Sequence, residues 1–183
     1  MGKDSNKFIG LLGGSFDPAH KGHLEISKIA IKKIRLNKVL WLITKKNPFK
    51  KKPFYSLEYR INKAKKISKN IKKIKIVYLD KTIKSNRSIN IINYLIHKKK
   101  PDIIYFIIGS DNLIRFHKWK SWKKIVKLTK LVVFSRKGYD KRSRKSITAK
   151  YLKNKIIFIK NKHINVSSSE LKKKYKHIIN GSS

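Results

Sequence analysis

The sequence predicts an α/β protein built on an open, doubly wound, mostly parallel sheet in a single domain. Three observations carry this expectation. Short apolar runs alternate with stretches of helical spacing along the chain. Each apolar run is nearly continuous rather than alternating, as in a strand buried on both faces of a parallel sheet. The polar groups that stand out follow these runs, and sheets of this kind bind ligands beyond the carboxyl ends of their strands.

Strand-like runs fall at Phe8–Leu12, Val39–Ile43, Ile74–Leu79, Ile103–Ile108, Leu131–Phe134 and Ile156–Ile159. Helical spacing covers His23–Ile34, Leu57–Ile67, Ser88–His97 and Leu113–Leu128, and a last helix is expected over Ser168–Ile179. Lys137–Lys145 reads as the most loop-like segment, and Gly181-Ser182-Ser183 as a frayed end. No internal repeat or inter-domain linker interrupts the pattern, so residues 1–183 are expected to form one unit.

The first strand leads into the most informative stretch, F-I-G-L-L-G-G-S-F-D-P-A-H-K-G-H from Phe8 to His23. Gly13 and Gly14 end the strand, Asp17-Pro18 marks a turn, and a helix follows. His20 and His23, three residues apart, share one face at its start. A helix N-terminus offers unpaired N–H groups and a positive dipole end, which suit phosphate. Two histidines at a helix start also serve as caps or solvent groups, and neither standard glycine fingerprint for phosphate is present. A zinc site needs further ligands, and the chain has no Cys and no second His pair, so no protein-held metal is expected.

Composition narrows the classes further. An apolar content of 40% over 183 residues supports a globular core. No apolar run is long enough to span a bilayer, and M-G-K-D-S-N-K lacks the apolar core of a signal peptide. With the absence of Cys, this points to the cytoplasm and away from any membrane. The net charge of +40 would suit a nucleic-acid partner, but the excess is mostly Lys, spread end to end among abundant Ile and Asn. That is the mark of A/T-rich coding rather than of a binding patch, and no nucleic-acid recognition motif accompanies it.

Later in the chain, Lys50 follows the stiff Asn47-Pro48 after the second strand, and Gly109-Ser110-Asp111 follows the fourth. Asp111 can be read as an N-cap. Phe116, Trp119 and Trp122 recur every three residues, a stripe suited to packing, though a flat ring at a strand end could also stack on a pyridine. Arg136 follows the fifth strand, and Ser167-Ser168-Ser169 would open the last helix over an anion.

The run G-G-S-F-D-P-A-H-K-G-H resembles the signature of the HxGH nucleotidyltransferase superfamily, matching at Gly14, Phe16, Asp17, Pro18, His20, Gly22 and His23. N-P-F-K, G-S-D-N-L-I-R-F-H-K-W-K-S-W-K-K-I and R-K-G-Y resemble the nicotinate-nucleotide adenylyltransferase branch, and V-S-S-S-E-L-K resembles its I-S-S-T-x-I-R motif. Lys137 stands where that branch usually has Pro, Ser169 for Thr, and Lys172 for Arg. The last change keeps the charge but loses bidentate phosphate geometry. S-S-S-E-L-K is also similar to the pantetheine-phosphate adenylyltransferases, which makes phosphopantetheine the nearest alternative acceptor, beside nicotinamide mononucleotide.

The resemblance implies a Rossmann-like nucleotidyltransferase fold and transfer of AMP from ATP to nicotinate mononucleotide, giving deamido-NAD and pyrophosphate. It implies catalytic roles for His20 and His23. It implies ATP or phosphate binding by Gly13, Gly14, Ser15, Phe16, Asp17, Lys50, Ser167, Ser168, Ser169 and Lys172. Nicotinate-nucleotide binding falls to Gly109, Asp111, Trp119, Lys120 and Arg136, with Trp119 at the nicotinate ring and Trp122 in packing. Mg²⁺ would arrive with ATP, since only nine acidic residues are present and they are dispersed.

Overall fold

The computed structural model describes residues 7–45 and 52–161. Six strands, β1 (Phe8–Gly14), β2 (Lys38–Ile43), β3 (Ile74–Val77), β4 (Ile103–Gly109), β5 (Lys130–Phe134) and β6 (Ile157–Ile159), form one sheet in the order β3-β2-β1-β4-β5-β6. Every pairing is parallel. The expected open α/β sheet is therefore present, wholly parallel where a mostly parallel one was predicted.

Helices cover both faces. On one side α1 (Lys21–Ile34) and α2 (Leu57–Ser68) place Ala30 and Ala64 in a cluster with Val39, Trp41, Ile107 and Val132. On the other, α3 (Ser88–Lys99) packs Ile91, Ile92 and Leu95 among Leu11, Leu40, Phe106 and Val133. The same strand thus contributes to both cores on alternate residues, which is why its sequence reads as a continuous apolar run. Among the described residues no helix is long and apolar enough to cross a membrane.

Three local expectations need correction. The single helix expected over Leu113–Leu128 is α4 (Ser110–Arg115), a 3₁₀ turn (Phe116–Lys118) and α5 (Trp122–Leu128). The aromatic spacing of three matches a 3₁₀ turn rather than an α-helix. Wholly buried Phe116 holds that turn, Trp119 leaves it in an extended conformation, and Ser121 is left-handed at φ 60°. Lys137–Lys145, expected as loop, contains α6 (Asp140–Arg144), and α7 (Ile147–Leu152) follows. These helices are too short to show an apolar period. Buried Ser143 bonds back to the Asp140 carbonyl, and the Ser146 hydroxyl caps α7 by accepting from the Ala149 N–H at 3.2 Å. β3 ends at Val77, two residues before the apolar run does.

Candidate active site

The strand order reverses direction at β1, which lies between β2 and β4. That is where an open α/β sheet leaves a crevice at its carboxyl edge. A cavity of about 420 Å³ occupies it. Its floor is Gly13 and Gly14 of β1 with Leu42, Thr44 and Phe106, and its far wall is Asn86–Ser88 at the start of α3 with Trp119 and Lys120. Gly14 is bonded across to β2 through its carbonyl, which accepts from the Thr44 N–H at 3.2 Å.

The two glycines of this edge differ from the one on β4. A Cβ on Gly13 would meet nothing within 4 Å, whereas one on Gly109 would strike the Asp111 carboxylate and sit 3.0 Å from the Arg136 Nε. Gly13→Ala is therefore expected to leave the melting temperature unchanged while filling part of the cavity. Gly109→Ala meets only the Asp111 and Arg136 side chains, which can shift, so it is expected to displace that pair and cost about 1 kcal/mol or less, read from the melting midpoint.

His20 and His23 hold the mouth of α1. His20 is the N-cap, and its Nδ1 accepts from the Gly22 N–H at 3.0 Å. His23 reaches back, its Nδ1 accepting from the His20 N–H at 3.3 Å. This is a capping box built from two imidazoles. Because each Nδ1 is an acceptor, each neutral ring carries its hydrogen on Nε2. The rings lie 4.0 Å apart, so two Nε2–H donors stand side by side at a helix N-terminus. Neither ring belongs to the cavity lining, which begins at the glycines of the strand that leads into this turn.

The turn between Gly14 and His20 is fastened from below. Asp17 is buried, and its two carboxylate oxygens accept the Phe54 and Tyr55 N–H groups, each at 2.9 Å. Its side chain thus anchors the segment before α2. Phe16 is buried too, its ring 4.6 Å from His23 and stacked on Trp41 at 5.2 Å. Ser15 contributes its carbonyl, which accepts from the Arg60 guanidinium at 2.6 Å.

Arg60 is the residue that sequence reasoning missed. It is 1% exposed, and its guanidinium also donates to the carbonyls of Thr44, Lys45 and Tyr55. One side chain therefore ties the loops after β1 and β2 to the start of α2. Burial lowers its pKa, opposed chiefly by Asp17 and then by Asp80. Asp80, after β3, accepts the Lys45 N–H at 2.8 Å. Burial pushes its carboxyl above the usual range, against that hydrogen bond and Arg60. The available signal was position alone: Arg60, Ala64 and Ser68 form the buried stripe of α2. Asn86–Ser88 were also missed, since a helix start without a side-chain cap carries no motif by itself.

On β4 and β5, the N-cap of α4 is Gly109, so Asp111 sits inside the first turn and is not itself the cap. Its Oδ1 lies 3.4 Å from the Arg136 Nε. The Arg136 N–H donates to the Ser110 Oγ at 2.9 Å and to the Asp140 Oδ1 at 3.1 Å. Trp119 stacks on Phe116 at 5.0 Å and meets Phe106 edge-on at 6.0 Å, while Trp122 packs on Tyr151. Lys50, Ser167, Ser168, Ser169, Lys172 and the last expected helix lie outside the described residues.

The sequence profile described as cytidylyltransferase-like matches residues 11–174, nearly the whole chain. The chain belongs to the cytidylyltransferase-like family. Within this family it is 51% identical to the probable nicotinate-nucleotide adenylyltransferase of Pelagibacter ubique, over 90% of this chain and 92% of that one. It is 36% identical to the protein of the same description from a Nitratiruptor species, over 90% and 86% of the two chains. In fold it is similar to the Plasmodium falciparum nicotinic acid mononucleotide adenylyltransferase complexed with NaAD, with a TM-score of 0.72 at 22% identity, over 92% and 83% of the two chains.

Proposed function

We propose that this chain transfers AMP from ATP to nicotinate mononucleotide, forming deamido-NAD and releasing pyrophosphate. The observation that carries this reading is a cavity lined by Trp119 and by Gly13 and Gly14, the glycines that lead into the turn before the two imidazoles of α1. The solved Plasmodium falciparum protein complexed with NaAD, and the Pelagibacter ubique protein 51% identical to this chain, support the same acceptor.

A phosphate oxygen of nicotinate mononucleotide attacks the α-phosphorus of ATP. The new P–O bond forms as the bond to pyrophosphate breaks, and no covalent enzyme intermediate is needed because the nucleophile is already anionic. Catalysis is then positioning plus stabilisation of phosphate charge. His20 and His23 donate from Nε2 to the triphosphate, and the main chain of Gly13–Phe16 lies against it. Trp119 stacks on the pyridine, Lys120 adds charge at its edge, and Gly109, Asp111 and Arg136 hold the nucleotide from the β4 side. Lys50, Ser167–Ser169 and Lys172 complete the phosphate contacts. Among the described residues no group of His, Cys, Asp or Glu could hold a metal ion. Mg²⁺ would arrive with ATP, held mostly by phosphate oxygens and water and shielding phosphate charge. We place the enzyme in the cytoplasm.

The test is pyrophosphate release with ATP and Mg²⁺, offering nicotinate mononucleotide, nicotinamide mononucleotide and phosphopantetheine in parallel. Release with the nicotinate compound at least tenfold above the others, about 1.4 kcal/mol of discrimination, is the expected result. Preference for another acceptor would overturn the assignment of the cavity. Trp119→Ala is expected to raise the KM for the acceptor by roughly tenfold, the loss of one stacked ring at about 1–1.5 kcal/mol. The KM for ATP should stay near its original value; an effect on ATP alone would remove Trp119 from the pyridine pocket.

A further inference from the structure

The His23 imidazole is backed by a buried assembly in which Trp41 and Ser27 have no part in the proposed chemistry. Trp41, on β2, is wholly buried. Its ring stacks on Phe16 at 5.2 Å with an interplanar angle of 23°, and His23 lies 4.6 Å from Phe16 and 6.0 Å from Trp41, so the three rings form a triangle in mutual contact. Phe16 sits at φ 46°, a left-handed conformation that non-glycine residues rarely adopt, so its ring contacts with Trp41 and His23 help hold it there. Trp41 also reaches His23 through hydrogen bonds. Its Nε1–H donates to the Ser27 Oγ at 2.7 Å, and the Ser27 hydroxyl donates to the His23 carbonyl at 2.8 Å. Ser27 is itself wholly buried, on the face of α1 turned to the sheet.

Two routes, one through rings and one through a hydroxyl, therefore run from the centre of the sheet to one residue in the first turn of α1. First turns are where helices fray, because their N–H groups have no partners within the helix. A donor that must meet a developing charge has to be held within about 0.5 Å.

We infer that Trp41 and Ser27 are positioning residues that hold the His23 imidazole in its working orientation, an inference that rests on the adenylyl-transfer reading above. Trp41→Phe keeps a ring for the stack and removes the N–H; Ser27→Ala removes the relay and keeps the stack. At a temperature well below unfolding, each is expected to lower kcat about tenfold, with the KM for ATP unchanged within about twofold. The double variant should be no worse than either single one, since both break the same link. In a His23→Ala background neither should reduce kcat further. Nitrogen-15 NMR of the imidazoles should show His23 with its hydrogen on Nε2 in the unaltered protein and a displaced His23 signal in both variants.

An unchanged kcat in both single variants would overturn the inference. So would an equal loss in the His23→Ala background, which would mean that the pair supports the fold and not that imidazole. If the unaltered protein turns over no acceptor, the functional reading fails separately. The NMR signal then decides the positioning claim, and an undisturbed His23 in both variants would sink it.

Discussion

His23→Ala is expected to lower kcat by about 10²- to 10³-fold, the usual loss for one donor aimed at developing charge, with the KM for ATP changed only a few-fold. The reason lies in the tautomer. The His23 Nδ1 is occupied by the His20 N–H, so the ring presents Nε2–H, and it lies 4.0 Å from the His20 ring. A donor whose bond strengthens only as charge develops lowers the barrier without tightening ground-state binding. Steady-state kinetics separate the two cases: equal losses in kcat and in ATP affinity would make His23 a binding group only. The substitution also removes half of the capping box, about 1 kcal/mol of helix stability, so a small drop in melting temperature should accompany the kinetic loss.

The second large effect is expected at Arg60. Arg60→Met fills similar volume but leaves the carbonyls of Ser15, Thr44, Lys45 and Tyr55 without their donor. It also leaves the buried Asp17 carboxylate and Asp80 without the guanidinium that offsets their charge. Removing one member of such a buried arrangement costs about 3–5 kcal/mol, and for a chain of this size that lowers the melting midpoint by roughly 10 °C. Activity should fall as well, because the released loops carry the glycine turn and Thr44.

The pH dependence of the variant has a definite sign. In the unaltered protein burial raises the Asp80 carboxyl pKa, and Arg60 draws it back down. The folded state binds that proton more readily than the unfolded chain, so the Asp80 contribution is fully present below the ordinary value of 3.8 and is lost as pH rises through its folded pKa. Without Arg60 that pKa climbs further. The stability gap between Arg60→Met and the unaltered protein should be widest at neutral pH and narrow on acidification. Denaturant titrations at several pH values measure it; a constant gap would show that Arg60 acts through its carbonyl bonds alone.

These two residues mark the division between what the chain announces and what it conceals. His23 lies in a contiguous run that can be read directly: a strand, two glycines, a turn and a helix start. The alternation of apolar runs and helical spacing likewise determined the parallel sheet, and polar residues after each strand mark its carboxyl edge. These are sums over near neighbours, and periodicity records them. What only the tertiary structure decided are meetings across long stretches of chain. Arg60 bonds to Ser15, 45 positions away, and Asp17 to Phe54, 37 positions away. The aromatic stripe from Phe116 to Trp122 became a broken helix for the same reason, since Phe116 packs on Phe106 of the neighbouring strand and Trp119 stacks on Phe116 where it lines the cavity. A buried charge or a misplaced ring leaves no period in the sequence. Its energy depends on partners that only folding brings within 3–6 Å, which is about the reach of hydrogen bonds and ring contacts.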